Sequence, residues 1–266
     1  FTRLSGTASV TDLNLRDVEI SGNYQSAGAL AGIVSGTVTR VQAVDVDINN
    51  TMNNSKTGGL IGSLSGENAS VTISGVQGAT IIIGTASSQA NPTPSNVNAT
   101  VGGLIGEIDR AKVQATFADA EIVMMNASGE VGGFAGKLII TTYNGSIQES
   151  YSVSTSEYAN YGSFLGSIEK GTNFVTENAN QLRHLIGNYT IAGGTGTVNS
   201  YDNTFFDKGF YDSANHVYFI VTYNSIEELE ANTEYIFYAI DGQNRVYWDN
   251  SAWNIVIGSL PELRMT

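Results

Sequence analysis

The chain has 266 residues, of which 41% are hydrophobic, 9% aromatic and 14% charged, and it contains no cysteine. Its formal net charge of −13 disfavours nucleic acid as a partner, because a negative surface repels phosphate backbones. A run of about 18 apolar residues is absent, so the sequence predicts no membrane insertion of this segment. Abundant Gly, Asn, Ser and Thr favour strands and turns over helices.

The first predicted strand lies in residues 11–22, TDLNLRDVEISG, which correspond to TRVQAVDVDINN at residues 39–50. Leu4 falls in an apolar column that recurs further along the chain. These residues are interpreted as the tail of a repeat unit, and we expect the sequence to be a fragment that begins within a unit.

Alternation of apolar and polar residues predicts a strand in the second half of each unit. In VQAVDVDI at 41–48, the alternation is expected to place apolar side chains on one face and acidic ones on the other. The apolar face would hold Val44, Val46 and Ile48, and the acidic face Asp45 and Asp47. Similar runs occur at 71–75, 78–84, 112–117, 120–125 and 146–154.

A glycine-rich motif of eight residues occurs five times. VGGLIGEI at 101–108 is matched by AGALAGIV at 27–34, TGGLIGSL at 57–64, VGGFAGKL at 131–138 and YGSFLGSI at 161–168. The large apolar residue at the fourth position marks the register, and these marks are Leu30, Leu60, Leu104, Phe134 and Phe164. They are 30, 44, 30 and 30 residues apart, so the units are in phase except for one insertion.

Glycine and apolar columns follow the mark. The apolar column, four residues after the mark, holds Val34, Leu64, Ile108, Leu138 and Ile168. The motif glycines are Gly28, Gly32, Gly59, Gly62, Gly103, Gly106, Gly133, Gly136, Gly162 and Gly166. Residues two apart in an extended chain point to one side, so the mark, the following glycine and the apolar residue should all face inward. Glycine is expected there because a side chain has no room or because the backbone bends.

The insertion coincides with TASSQANPTPSN at residues 85–96, which is typical of a surface loop. This loop is either a contact site or a neutral excursion.

A unit of about 30 residues with two or three short strands and no helix predicts an all-β fold, a parallel β-solenoid (β-helix). Each unit would form one rung, with rungs about 4.8 Å apart. The alternative is a β-propeller, whose blades need about 40–50 residues and four strands each.

The G-G-[LF]-[IA]-G motif resembles the GLUG-type repeat of bacterial surface proteins. That repeat occurs in large adhesins and in the N-terminal regions of IgA-cleaving zinc metallopeptidases of the M26 type. The resemblance covers residues 1 to about 170 through the repeats and continues to the end through a closing element. The first and fifth copies, AGALAG and YGSFLG, depart from the pattern, as expected of terminal repeats.

Residues 1–170 are therefore predicted to form the repeat solenoid with its inserted loop, and residues 171–266 the last rung or rungs and a C-terminal cap. SIEELEAN offers a capping box, Ser225 with Glu228, and predicts a short helix. Aromatic residues in this part would cover the last rung, which otherwise exposes an open edge. The cap residues are Trp248, Trp253 and Pro261, together with Tyr235, Phe237, Tyr238 and Tyr247. The alternative is an aromatic platform that binds carbohydrate.

The sequence predicts no catalytic residue, cofactor or metal site. His184 and His216 stand in unrelated contexts without a partner His or Cys. The acidic pairs, Asp45 with Asp47 and Asp119 with Glu121, alternate with apolar residues as on the outer face of a strand. Calcium binding by Asp45, Asp47 and Asp202 is not predicted, because no known calcium loop is present.

Three functions are considered for a chain with these features: a surface module, a part of a peptidase and a carbohydrate-active enzyme. The resemblance implies a non-enzymatic extracellular module of a bacterial surface or adhesin-like protein, at the cell surface, acting as a rigid stalk or binding surface. Its partners would be a host or extracellular protein or a glycan, and other domains of a longer chain. The alternative is the N-terminal, substrate-positioning solenoid of an M26-like zinc metallopeptidase whose catalytic domain lies outside this chain. A carbohydrate-active solenoid enzyme would need a groove of clustered acids with basic companions, a pattern that the sequence does not show.

Overall fold

The structure is a computed structural model of the chain. The residues that it describes are 1–85, 97–140, 145–170, 185–186, 188–191, 211–212, 217–218, 220–231, 248 and 251–265. The predictions for residues 86–96, for His184, His216 and Asp202, and for Tyr235, Phe237, Tyr238 and Tyr247 lie outside the described residues.

The repeat region consists of short strands that alternate with long ones. In chain order these strands are β1 (Arg3–Leu4), β2 (Ser9–Gly22), β3 (Ser26–Ala27), β4 (Ala31–Val34), β5 (Thr37–Asn50), β6 (Ser55–Gly58), β7 (Ile61–Ser65), β8 (Ser70–Gly84), β9 (Val97–Gly102), β10 (Ile105–Asp109), β11 (Lys112–Met125), β12 (Ala127–Gly132), β13 (Ala135–Ile140), β14 (Ser146–Gln148), β15 (Tyr151–Ser152), β16 (Thr155–Ser156), β17 (Tyr161–Gly162) and β18 (Leu165–Lys170).

The C-terminal part adds short strands and the helix that the capping box predicted. These elements are β19 (Leu185–Ile186), β20 (Asn188–Ile191), β21 (Tyr211–Asp212), β22 (Val217–Tyr218), β23 (Ile220–Tyr223), α1 (Ile226–Ala231), β24 (Trp253–Asn254) and β25 (Glu262–Leu263). At the start of the helix, the Glu228 amide donates a hydrogen bond to Ser225 Oγ at 3.2 Å. The Glu228 side chain reaches back and accepts a hydrogen bond from the Asn224 amide at 2.7 Å.

The described strands of the repeat region form three parallel sheets, and successive turns of the chain add one strand to each. Sheet 1 has the order β1-β4-β7-β10-β13-β18, and sheet 3 the order β17-β12-β9-β6-β3. Sheet 2 has the main order β2-β5-β8-β11-β15-β20-β23, with β14, β16 and β19 beside it. Parallel stacking of successive units confirms the β-solenoid prediction.

The pairing register in sheet 1 is the register that the repeats predict. Leu4 pairs with Val34, Val34 with Leu64, and Leu64 with Ile108. The column continues from Ile108 through Leu138 to Ile168. In sheet 2, residues 11–22 pair with 39–50 from Thr11 opposite Thr39 to Gly22 opposite Asn50. Strands β19, β20 and β23 continue sheet 2 beyond residue 170, and the predicted boundary there stays a prediction.

The motif forms the tight turn between sheets 3 and 1. Each mark side chain is buried, at 2% exposure or less, and lies in a bend just before the sheet 1 strand. The prediction that the chain is extended from the mark to the apolar residue was therefore wrong at the mark itself, and the extended strand begins one residue later. The prediction for glycine is confirmed at Gly106, where a Cβ atom would lie 2.4 Å from the Gly62 carbonyl oxygen and 2.7 Å from the Thr57 nitrogen.

Sheet 2 contains two columns of left-handed residues that the period-two pattern did not predict. Each residue interrupts the alternation of its strand as a β-bulge does, and we call these positions bulges, although β2, β5 and β8 stay in register across them. In the first, left-handed backbone recurs from strand to strand at Asp12, Arg40, Ile73, Ala115 and Glu149, with φ between 49° and 56°. In the second, Asp17, Asp45 and Gly78 have φ of 51°, 56° and 64°. Each bulge reverses the facing of the residues that follow it. Interior packing therefore involves Ala43, Val46 and Ile48, and the prediction that Val44 shares their face was wrong.

Candidate functional site

Strand β11 contributes side chains to two separate hydrophobic clusters. Val113, Ala118 and Ile122 pack in the solenoid interior, whereas Ala115 and Phe117 belong to a second cluster. The side chains of a strand alternate between its two faces, and the bulge at Ala115 adjusts that alternation. Sheet 2 therefore has an interior face and an outer face, and both are covered at β11.

The C-terminal segment covers the outer face through aromatic packing on Tyr151. The Tyr151 ring stacks on Phe117 at a centroid distance of 5.5 Å and on Trp248 at 6.0 Å. Trp253 lies 5.7 Å from Tyr151 and 4.6 Å from Trp248. The Tyr151 hydroxyl donates a hydrogen bond to the Pro261 carbonyl at 3.0 Å. These contacts fix residues 251–265 to the side of the solenoid.

A glycine opposite Phe117 allows this arrangement. Gly75 is the cross-strand partner of Phe117 in β8, and a Cβ atom at Gly75 would lie 2.2 Å from Phe117 Cε1. The aromatic ring therefore lies across β8 in space that only glycine leaves open.

The segment that packs on Tyr151 is itself a small hairpin. Strands β24 and β25 pair antiparallel, with Trp253 opposite Leu263. Arg264 Nε donates to the Trp253 carbonyl at 3.0 Å, and the Arg264 amide donates to the Ala252 carbonyl at 2.8 Å. Both bonds hold the hairpin closed, so its inner edge keeps a defined position.

A half-open groove of about 520 Å³ lies between this hairpin and the outer face of sheet 2. We call it the lateral groove. Its sheet side is formed by Gln42, Gln77, Phe117, Asp119, Tyr151 and Val153, and its other side by Glu230 and by residues 259–263. It therefore combines amides and carboxylates with apolar side chains, as ligand sites commonly do.

Asp119 is the half-buried carboxylate of the lateral groove. Burial raises the pKa of this carboxyl group, and the hydrogen bond from the Gly78 amide to Oδ2, at 3.3 Å, opposes that rise. The pKa of Tyr151 is also raised, mainly by burial and further by the negative charges of Asp119 and Glu262. The negative charges of Asp119 and Glu262 therefore act on the Tyr151 hydroxyl at the floor of the groove.

The structure separates the predicted site residues into two groups. The motif residues line the interior turn between sheets 3 and 1 and take part in packing. Trp248 and Trp253 are 2% and 0% exposed, and Pro261 is buried. They support the hairpin on the side of the solenoid, and their role as a cap for the last rung stays a prediction. Because the two indoles are buried, they do not present an aromatic platform to a carbohydrate.

The acidic pairs have different outcomes. Asp45, Asp47 and Glu121 are exposed and lie outside the lateral groove, whereas Asp119 lines it. Sequence reasoning missed Gln42, Gln77 and Glu230, and it assigned Pro261 to a cap rather than to a groove. The available signal was the interruption of strict alternation around residues 42–45 and 77–79, which marks the bulges.

Among the described residues, no group of three or more His, Cys, Asp or Glu side chains is arranged to hold a metal ion. Within the same ranges, no helix has the length and apolar character needed to span a membrane.

Comparison with protein-family models, with curated proteins and with solved structures found no match to this chain.

Proposed function

We propose that this chain is a non-enzymatic, extracellular module of a bacterial surface or adhesin-like protein, built from GLUG-type repeats. It acts as a rigid support that presents a binding surface on its side. The lateral groove is the observation that carries this proposal. It lies on the outer face of sheet 2, and the hairpin that completes it is anchored by Tyr151, Trp248 and Trp253.

Rigidity supports this function because a preorganised site loses little conformational entropy on binding. Every strand of the repeat region pairs with strands of neighbouring rungs. The interior is filled by aliphatic and aromatic side chains, including Leu104 and Phe134, both 0% exposed. The Phe134 and Phe164 rings stack with centroids 4.6 Å apart, which ties the fourth and fifth copies of the motif together.

The proposal is tested by screening the purified chain against arrays of extracellular-matrix proteins and glycans. A Gln77→Trp variant places a large side chain in the lateral groove, and Asn49→Trp, at an exposed site on β5, is the matched control. We expect at least one ligand to bind wild type and Asn49→Trp but not Gln77→Trp. If every ligand bound all three proteins equally, or if none bound, the groove would not be the binding surface.

The substrate-positioning solenoid of an M26-like metallopeptidase is the second candidate. The lining of the lateral groove supports it, because Gln77, Asp119 and Val153 come from successive turns of the solenoid, an arrangement that suits an extended polypeptide. The sequence of the native gene on both sides of this segment separates the two. A downstream His-Glu-x-x-His with a later Glu supports the peptidase, whereas further repeats followed by an anchoring tail support the adhesin.

A further inference from the structure

The lateral groove runs across the strands of sheet 2, along the direction in which the rungs stack. Its floor contains Gln42 from β5, Gln77 from β8, Asp119 from β11 and Val153 just after β15. These residues come from four neighbouring turns of the solenoid. With rungs about 4.8 Å apart, the floor is about 14 Å long. That length accommodates about four residues of extended polypeptide.

The charge of the lateral groove has one sign. Asp119 contributes a carboxylate from the sheet side, and Glu230 and Glu262 contribute carboxylates from the other side. None of the described residues that line the groove is basic. The whole chain carries a net charge of −13, so the surrounding field also attracts cations and repels anions.

Asp119 is the carboxylate of the lateral groove that should attract a cationic group most strongly. Its carboxylate is partly withdrawn from water, and the hydrogen bond that the structure gives it is the long one from Gly78. A desolvated carboxylate with little compensation gains most from an ammonium or guanidinium group. The primary amides of Gln42 and Gln77 on the same floor can donate to and accept from a peptide backbone.

Resting on the proposed binding function, we propose that the lateral groove binds an extended polypeptide segment with lysine or arginine side chains. Asp119 receives a cationic side chain, Glu262 and Glu230 reinforce the attraction from the opposite side, and the glutamines contact the backbone. The aromatic rings of the floor contribute little stacking surface, because Phe117 and Tyr151 are only 7% and 4% exposed. This favours a basic peptide over a sugar that needs an open aromatic face.

The test uses fluorescence anisotropy with a labelled Gly-Lys-Gly-Lys-Gly peptide. The labelled Gly-Glu-Gly-Glu-Gly peptide is the first comparison probe. The second is unlabelled cellotetraose, which is added as a competitor of the lysine peptide and whose own binding is followed by tryptophan fluorescence. Asp119→Asn is compared with Asp47→Asn, which removes the same charge from an exposed site on sheet 2 outside the groove. Circular dichroism and thermal melting verify that both variants fold.

We expect the lysine peptide to bind wild type and Asp47→Asn, and to lose about fivefold to tenfold in affinity with Asp119→Asn. Added salt should weaken the binding, and the glutamate peptide should not bind. Equal losses in both variants would show a diffuse attraction and overturn the proposal, as would the absence of lysine-peptide binding. Cellotetraose binding that Asp119→Asn abolishes would replace the peptide with a glycan and leave the binding function intact. The Gln77→Trp screen tests that function separately.

Discussion

The backbone amide of Val41 donates a hydrogen bond to Ser74 Oγ at 3.1 Å, and the same hydroxyl donates to the Thr72 carbonyl at 2.8 Å. Both residues immediately follow a left-handed bulge residue, Arg40 in β5 and Ile73 in β8. A bulge disrupts the ladder locally and removes the carbonyl that a regular strand would present. The serine hydroxyl takes the place of that carbonyl, and Ser150 does the same for the Thr116 amide, at 3.3 Å.

This relationship predicts the effect of Ser74→Ala. The substitution leaves the buried Val41 amide without an acceptor, and such a loss costs about 1–3 kcal/mol of unfolding free energy. Ser167→Ala is the control, because Ser167 Oγ is buried with no hydrogen-bond partner in the described part of the chain. We expect that variant to be neutral or stabilising. Urea unfolding of both variants measures the difference, and equal stability would show that the Ser74 hydroxyl does not sustain the bulge.

Gly106→Ala is expected to destabilise the solenoid through steric overlap alone. The added methyl would meet the backbone atoms Gly62 O and Thr57 N, which cannot move without shifting a rung. We expect a loss at the upper end of the about 1–3 kcal/mol typical of overpacking. Gly6→Ala is the control, because the nearest atom to its Cβ would be 3.7 Å away. Thermal unfolding compares the two variants, and a Gly106→Ala protein as stable as the control would contradict the tight approach of sheets 1 and 3.

The sequence predicted the rungs because their spacing follows from chemistry that is visible residue by residue. The mark, the glycine two residues later and the apolar residue four residues later recur in phase. In the third copy the last two are Gly106 and Ile108, and the observed pairing of Ile108 with Leu64 and Leu138 is the pairing that the apolar column predicts. The capping box at Ser225 was equally local. Both depend on short patterns that need no knowledge of distant contacts.

The lateral groove could not be predicted in this way, because it forms between residues far apart in the sequence. Tyr151 Oη and the Pro261 carbonyl are 110 residues apart along the chain. The bulges were missed for a different reason. A single left-handed residue such as Asp45 shifts the alternation by one place, and a strict period-two reading then assigns Val44 to the wrong face.

Asp45 and Asp47 offer a direct test of the bulge. Both are exposed on β5, but only Asp45 has left-handed backbone, with φ of 56°. A β-branched residue is strongly disfavoured in that region, so Asp45→Val should cost about 1–2 kcal/mol. Asp47→Val removes the same charge from extended backbone and should have an effect within about 0.5 kcal/mol. Chemical denaturation of both variants is the measurement, and equal effects would argue against the bulge.

Asp119→Asn should change the pH dependence of stability. Because the folded-state pKa of Asp119 is raised above 3.8, mainly by burial, the folded protein holds this proton more tightly than the unfolded chain does. The free energy of unfolding therefore falls as the pH rises from 3.8 through the raised pKa, and the penalty is complete at pH 7. Asparagine carries no charge at any pH. We expect Asp119→Asn to melt at a higher temperature than wild type at pH 7 and the difference to shrink toward pH 3.5.

Asp47→Asn controls for the general effect of removing one negative charge from a chain of net charge −13. If Asp119→Asn followed this control at every pH, burial would not be destabilising the Asp119 carboxylate. A stability gain confined to Asp119→Asn and present only at higher pH would show that the folded chain maintains this charge at a cost. A binding site that needs an ionised group in the lateral groove explains such a cost, and the loss of lysine-peptide affinity in the same variant would connect the two measurements.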